Sequence, residues 1–130
     1  MKKVSVENGE SLLIHEIEIN STVVTLCAHE SEFEGESLIT EFITRIPLLW
    51  SNLYSTMESE FNDYGHSEDF PPSEFFMTVS RMTDVDVFMG EKSDFLLRFE
   101  FDVEKFSDSI PIYDFFLDRE FKVVHDQVVF

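Results

Sequence analysis

Acidic residues are the side chains in this sequence whose spacing could support binding chemistry. Four glutamates occupy alternate positions, Glu30, Glu32, Glu34 and Glu36. In an extended segment alternate side chains project from the same side, so these carboxylates would form one row facing a cationic partner. A simpler explanation is that acids near the start of a helix complement its macrodipole, each contributing about 0.3–1 kcal/mol.

A second acidic group surrounds a loop marked by Pro71-Pro72. Two aromatic residues flank its carboxylates, and aromatic anchors are typical of tight protein interfaces. A solvated loop without a partner is the alternative interpretation. Taking both groups together, the predicted partner-binding residues are Glu30, Glu32, Glu34, Glu36, Asp63, Tyr64, Glu68, Asp69 and Phe70.

Residues that usually support catalysis or bind metal form no recognisable motif. The histidines are widely separated, and none has a second His or Cys at the spacing of a zinc site. No glycine-rich phosphate loop or G-x-S-x-G turn is present, and Cys27 has no basic neighbour in sequence that would stabilise a thiolate. We therefore predict a protein that is not an enzyme, with no catalytic residues, no metal site and no cofactor.

The balance of charge is unusual for a chain of this size. There are 27 Asp and Glu against 9 Lys and Arg, which gives a net charge of −18 at pH 7. The two halves of the sequence share this excess equally, so it belongs to the whole surface rather than to a tail. Such a surface steers a cationic partner and raises its association rate by roughly 10- to 1000-fold, whereas direct binding to nucleic acid or to an anionic membrane is disfavoured. Solubility, or a halophilic origin, is the alternative explanation.

Length and composition predict one domain over residues 1–130. A hydrophobic fraction of 43% with 15 Phe supplies enough apolar surface for a core. A lone Cys27 excludes an intrachain disulfide and is typical of a reducing compartment. No apolar run approaches the roughly 20 residues of a membrane helix, and the N-terminus lacks the apolar core of a signal peptide, so we expect a cytoplasmic protein.

Hydrophobic periodicity predicts the elements. Alternation over 12–19 and 22–29 indicates two strands joined by a hairpin turn at Asn20-Ser21. Apolar residues then recur at intervals of three and four from Leu38 to Tyr64, which predicts a long helix. Pro47 interrupts this stripe and predicts either a kink or two abutting helices, and Gly65 is a plausible end.

The second half of the sequence reads as strands. After a loop over 65–74, strand patterns cover 75–82, 85–89 and 95–102, with a turn predicted at 90–93, and they end with 112–117 and 121–125. The predicted fold is α+β, with an antiparallel sheet of about six strands and one long helix, straight or kinked, packed on one face. The other face is left to solvent or to a partner.

The chain resembles bacterial immunity proteins of contact-dependent-inhibition and polymorphic-toxin systems. The resemblance is one of class, and rests on small size, acidity and the closing strand, turn and strand over 114–124. It implies a protein-binding inhibitor that neutralises a cognate basic, nuclease-type toxin by covering its active site. Close charge pairs across such an interface can couple by about 1.5–7 kcal/mol.

Three other functions remain open on the sequence. A nucleic-acid mimic that blocks a restriction or CRISPR enzyme requires carboxylates in a regular row near the ~7 Å phosphate spacing. An acidic secretion chaperone requires an exposed apolar groove or an edge strand. An enzyme with unrecognised carboxylate chemistry requires polar groups that converge in a pocket.

Overall fold

The computed structural model describes residues 2–5, 9, 11–33, 37–63, 74–88, 91–100 and 112–129. These residues form one helix, α1 (Ser37–Asp63), and one seven-stranded sheet whose strands lie side by side in chain order. The strands are β1 (Lys2–Ser5), β2 (Ser11–Ile19), β3 (Thr22–His29), β4 (Glu74–Phe88), β5 (Glu91–Glu100), β6 (Ile112–Leu117) and β7 (Val123–Val129). The predicted α+β class, a largely antiparallel sheet with one long helix, is confirmed.

One pair of strands departs from the antiparallel pattern. β3 and β4 pair in parallel, while the other neighbouring pairs are antiparallel. Parallel neighbours need a crossover connection because the chain must return to the same end of the sheet. Helix α1 supplies that crossover, and the sheet is therefore mixed.

The hairpin turn between β2 and β3 has the backbone that its residues predict. Asn20 and Ser21 have φ values of 49° and 69°. A two-residue turn that matches the twist of the flanking strands needs positive φ at both central positions, and Asn accepts this conformation more readily than most residues. The hairpin predicted at Asn20-Ser21 is confirmed.

Helix α1 packs its apolar face against one side of the sheet. It runs without interruption through Pro47, which lies on the exposed side, so the alternative of two abutting helices is wrong. The predicted apolar stripe is confirmed over the described residues. Its buried members are Ile39, Phe42, Ile46, Trp50, Leu53, Met57 and Phe61. Tyr64 and Gly65 lie outside the described residues.

Aromatic rings join the helix to the sheet at two points. Phe42 packs edge-on against Phe95 and Phe121, with ring centroids 5.0 and 4.8 Å apart. Trp50 packs edge-on against Phe75 at 4.9 Å and is tilted against Phe99 at 6.0 Å. Edge-to-face pairs of this kind add about 0.5–1.5 kcal/mol each beyond the burial of their surface.

Strand β5 begins earlier than the sequence predicts. Residues 91–93, predicted as a turn, belong to the strand, and Val85 pairs with Ser93. The buried Ser93 hydroxyl shares its single proton between the carbonyl oxygens of Phe95 and Leu117, at 2.9 and 3.1 Å, so this polar group is satisfied inside the sheet. The loop predicted over 65–74 is wrong at its last residue, because Glu74 begins β4. Residues 65–73 of that loop, Met89 at the end of a predicted strand, Gly90 at the start of the predicted turn and the strand end at 101–102 lie outside the described residues.

The connection from β6 to β7 also differs from its prediction. Phe121 is not in a strand, because its φ of 63° is incompatible with one, and β7 begins at Val123. The Asp118 carboxylate accepts hydrogen bonds from the backbone N–H groups of Glu120 and Lys122, both at 2.9 Å. These bonds hold the loop in a conformation that places the Phe121 ring in the core, where it is 4% exposed. A left-handed backbone at a residue other than glycine costs on the order of 1–3 kcal/mol, which the packing of this ring offsets.

Candidate binding surface

Adjacent phenylalanines of β4 lie on opposite faces of the sheet. Phe75 is completely buried beneath α1, whereas Phe76 is 52% exposed. Successive side chains of a strand point to opposite faces, so the register extends this division to the other strands. We call the side opposite α1 the open face. Its described side chains include Glu16, Glu18, Thr25, Cys27, Phe76, Thr78, Leu96, Arg98, Glu100, Asp114, Phe116, His125 and Gln127.

One row of paired residues crosses the open face from β2 to β5, and we call it the Phe76 row. Glu16 pairs with Thr25, Thr25 with Phe76, and Phe76 with Glu100. Since neighbouring strands lie about 4.8 Å apart, the two glutamate positions are roughly 14 Å apart with the exposed ring between them. Both glutamates are exposed. The row therefore presents an apolar ring flanked by carboxylates.

The neighbouring row of the open face contains an ion pair with a buried carboxylate. Arg98 donates to both carboxylate oxygens of Asp114, through Nε at 2.8 Å and a terminal nitrogen at 3.0 Å. Gln127 donates to the same carboxylate at 3.4 Å. Asp114 is 1% exposed and Arg98 44%, so the pair has one buried and one solvated partner. The hydrogen bond to Asp114 raises the pKa of Arg98, and the nearby charges of Asp114 and Glu100 act in the same direction.

Within the described residues, this pairing leaves the glutamates of the Phe76 row without a salt bridge. In the part of the chain that the structure describes, the ion pairs join Arg98 to Asp114 and Asp94 to Arg119. Neither includes Glu16 or Glu100. Arg98 lies two residues from Glu100 on the same face, but its guanidinium is held by Asp114. The negative charge of Glu16 and Glu100 is therefore available to a partner.

In the first acidic group predicted from the sequence, Glu30 and Glu32 do not lie in an extended segment. Glu30 to Glu32 form one turn of 3₁₀ helix, and both glutamates are partly buried. A Glu32 carboxylate oxygen accepts a hydrogen bond from the Arg81 backbone N–H at 3.4 Å, so this side chain lies against β4. Glu30 and Glu32 therefore do not project from one side in the way that alternate residues of a strand do. Glu34 and Glu36 lie outside the described residues.

The second predicted group is represented in the described chain by Asp63, which is exposed at the last residue of α1. Its other members, Tyr64, Glu68, Asp69 and Phe70, lie outside the described residues. A helix of 27 residues is about 40 Å long. Because Glu32 precedes α1 and Asp63 ends it, the described members of the two groups, Glu30, Glu32 and Asp63, are not brought together.

The Phe76 row was missed although the sequence contains a signal for it. The strand pattern over 75–82 places Phe75, Met77 and Val79 on the core side by alternation. It follows that Phe76, a large apolar residue, points away from the core. The sequence does not say which acids stand beside this ring, because that depends on the register with β3 and β5.

The histidines and the thiol of the first hairpin do not combine into a reactive site. His15 pairs with Leu26 and His29 with Leu12, so the two histidines lie on opposite faces of the hairpin. Burial raises the pKa of the Cys27 thiol, which disfavours the nucleophilic thiolate. Among the residues that the structure describes, no group of three His, Cys, Asp or Glu side chains is placed to hold a metal ion.

Two clefts border α1 on the side away from the open face. One, of about 390 Å³, lies by the first hairpin turn, and its lining of Ile19, Asn20, Thr22, Pro47, Trp50, Ser51, Tyr54 and Ser55 carries no charge. The other, of about 290 Å³, lies between α1 and β7, and Lys122 and Asp126 are its charged residues. The Asp126 carboxylate accepts a hydrogen bond from the Tyr113 hydroxyl at 2.6 Å. Neither lining pairs a nucleophile with a general base in the manner of a hydrolase.

Comparison with protein-family models, with curated proteins and with solved structures finds no match to this chain. The function must therefore be argued from the residues themselves. Within the described residues, α1 does not have the apolar run that a membrane-spanning helix needs.

Proposed function

We propose that this chain is an acidic protein-binding inhibitor, an immunity protein that neutralises a cognate basic, nuclease-type toxin by covering its active site. The observation that supports this proposal is the Phe76 row, in which an exposed aromatic ring lies between Glu16 and Glu100. Interfaces draw most of their affinity from a few central anchors, often aromatic, that are surrounded by polar residues. The open face has that composition.

Charge specifies the kind of partner. With a net charge of −18, two copies of the chain repel each other, so the open face is poorly suited to self-association. A cationic protein is instead attracted at long range, and the glutamates of the Phe76 row fix its position at contact. Active sites that bind nucleic acid are cationic because they must neutralise phosphates. A nuclease cleft is therefore a suitable target.

The nucleic-acid mimic fits the described residues less well. Glu16 and Glu18 stand about 6.8 Å apart on the open face, close to the spacing of phosphates along a strand. Towards the other end of β2, the same face continues with Ile14 and Leu12. The row of carboxylates on β2 therefore ends after two members, whereas a mimic needs a longer one.

Binding kinetics with a basic toxin domain test the proposal. The protein tested as the partner is the product of the adjacent gene, and rates are measured by surface plasmon resonance at rising ionic strength. Because the Debye length falls from about 10 Å at 0.1 M salt to 3 Å at 1 M, we expect a steep fall in the association rate. The chain should also abolish nuclease activity at a one-to-one ratio. Tight binding that salt does not affect, or binding without inhibition, would contradict the proposal.

Matched charge reversals locate the surface. The variant Glu16→Lys/Glu100→Lys changes the open face, and Glu41→Lys/Glu58→Lys makes the same change in net charge on the exposed side of α1. We expect the first variant to slow association more than the second. The predicted acidic group is tested in the same way with Glu30→Lys/Glu32→Lys. If that variant has the largest effect, the contact lies at the start of α1 and not on the open face.

A further inference from the structure

We infer that the Phe76 row is a receptor for an arginine side chain, with the guanidinium stacked on the Phe76 ring and paired with Glu100. This inference rests on the proposed function, since it names the group by which a basic partner is held. It depends on three features of the open face: an accessible ring, a carboxylate beside it that forms no salt bridge with another described residue, and a local arginine that is held elsewhere.

The residues around Phe76 leave its ring accessible. Its partner on β3 is Thr25, and Thr78 follows two residues along β4 on the same face. Both side chains are too short to cover a phenyl ring, which agrees with the 52% exposure of Phe76. An exposed ring presents the negative face of its quadrupole, which attracts a cation within about 6 Å.

The carboxylate is on the strand next to the ring. Glu100 is the direct partner of Phe76 across β4 and β5, and side chains in such pairs have Cβ atoms about 4.5–5.5 Å apart. A cation above the ring is therefore within reach of this carboxylate. Glu16, two strands away on the other side of the ring, adds negative potential to the same position.

Arg98, the described arginine on the same face as Glu100, does not fill this position. Arg98 lies two residues from Glu100 on β5, but two of its guanidinium nitrogens bond to Asp114. Asp114 is almost completely buried and has no alternative cation among the described residues, so it retains Arg98. The molecule thus keeps the ring and Glu100 free of an internal guanidinium.

Arginine fits better than lysine for a geometric reason. Its planar guanidinium stacks on an aromatic face and donates in the ring plane to a carboxylate at the same time, whereas the ammonium of lysine is a compact and strongly hydrated charge. Arginine is also enriched in surfaces that bind phosphates, including the active sites of nucleases. The open face would therefore bind an arginine side chain, the same side chain with which the proposed partner binds the phosphates of its own substrate.

Titration with short peptides tests the inference without the toxin. The ¹⁵N-labelled chain is titrated with tri-arginine and, separately, with tri-lysine, and amide shifts are followed by NMR. We expect saturable shifts centred on Phe76, Thr25 and Glu100, with tri-arginine binding more tightly. Phe76→Leu keeps an apolar side chain without the ring and should weaken tri-arginine binding by about two- to fivefold, the range for a cation over an exposed ring.

Two controls complete the experiment. Glu100→Gln should weaken tri-arginine binding while Phe76 stays in place, and Leu48→Ala, which removes a side chain that is 77% exposed on α1, should leave binding unchanged. Equal affinity for the parent chain and Phe76→Leu, or shifts centred elsewhere, would overturn the inference. Peptide binding at Phe76 without any binding of a toxin would overturn the proposed function alone. Toxin binding that Phe76→Leu leaves unchanged would overturn the inference alone.

Discussion

The two faces of the sheet are made by the same strands but have opposite character. Beneath α1, β4 and β5 contribute Phe75, Met77, Val79, Phe95, Leu97 and Phe99 to a continuous core. On the open face the alternate positions of these strands hold Phe76, Thr78, Ser80, Leu96, Arg98 and Glu100. The core explains the stability of the fold and does not indicate a partner. The open face contributes little to the core and contains the groups that a partner could recognise.

The largest expected difference between the faces comes from adjacent phenylalanines. Phe75→Ala removes a ring packed against Trp50 and Phe99, and should lower the free energy of unfolding by about 3–5 kcal/mol. Phe76→Ala should lower it by about 1 kcal/mol, because the half-exposed ring buries less apolar surface and its loss leaves no cavity in the core. Urea unfolding followed by Trp50 fluorescence measures both. A similar loss for the two variants would show that the open face is part of the core.

The ion pair on the open face should respond asymmetrically to truncation. Arg98→Ala leaves the Asp114 carboxylate buried without its cation and should cost about 3 kcal/mol, at the low end for a buried pair because Arg98 is partly solvated. Asp114→Ala leaves a guanidinium that water can reach, and should cost about 1–2 kcal/mol. Urea unfolding followed by Trp50 fluorescence compares the stability of the two variants. If Asp114→Ala lowers the free energy of unfolding more than Arg98→Ala does, the burial of the Asp114 carboxylate does not determine how the pair affects stability.

A smaller effect is expected where the loop before β7 closes over the core. Asp118→Ala removes the acceptor of two backbone hydrogen bonds that hold Phe121 in its left-handed conformation. We expect a loss of about 1–2 kcal/mol, and Asp118→Asn, which keeps an acceptor oxygen, should recover part of it. Equal stability of the parent chain and Asp118→Ala would mean that packing of the Phe121 ring alone fixes this loop.

The smallest effect concerns the reactivity of the Cys27 thiol on the open face. Burial raises its pKa above the ordinary value of 9.0, so iodoacetamide should react more slowly with the folded chain than with the chain in urea at pH 8. The stability that follows from this shift is fully present below pH 9 and is lost as pH rises through the folded pKa. Alkylation timed by mass spectrometry tests the prediction. Equal rates in both states would place Cys27 in solvent.

Periodicity was enough to predict most of the fold. The stripe of α1 repeats over seven turns, and the alternation of β2, β3 and β5 sorts their side chains between two environments. β1 was missed because its four residues, Lys2–Ser5, are too few to show a pattern. The parallel pairing of β3 with β4 was missed because it joins segments separated by a whole helix.

The candidate surface was harder to predict because it depends on pairing between strands. Glu16, Phe76 and Glu100 are distant in sequence and become neighbours only through the register of four strands. Arg98 and Asp114 likewise give no local signal of their ion pair. The acids that stand out along the sequence, Glu30 to Glu36, are conspicuous because they are close together in the chain, and proximity in sequence is a weak guide to a surface made by a sheet.

The parallel pair at the centre of the sheet has a consequence for the order of folding. The hairpin of β2 and β3 and the antiparallel strands β4 and β5 each form from neighbouring segments, whereas β3 and β4 meet only after the intervening chain has closed a long loop. Loop closure of this kind slows folding because its entropy is lost before the contacts that offset it are made. Glu16 and Thr25 reach Phe76 across this junction. We therefore expect the complete Phe76 row to form late, so that a partner that contacts all of it would distinguish the folded chain from its partly folded forms.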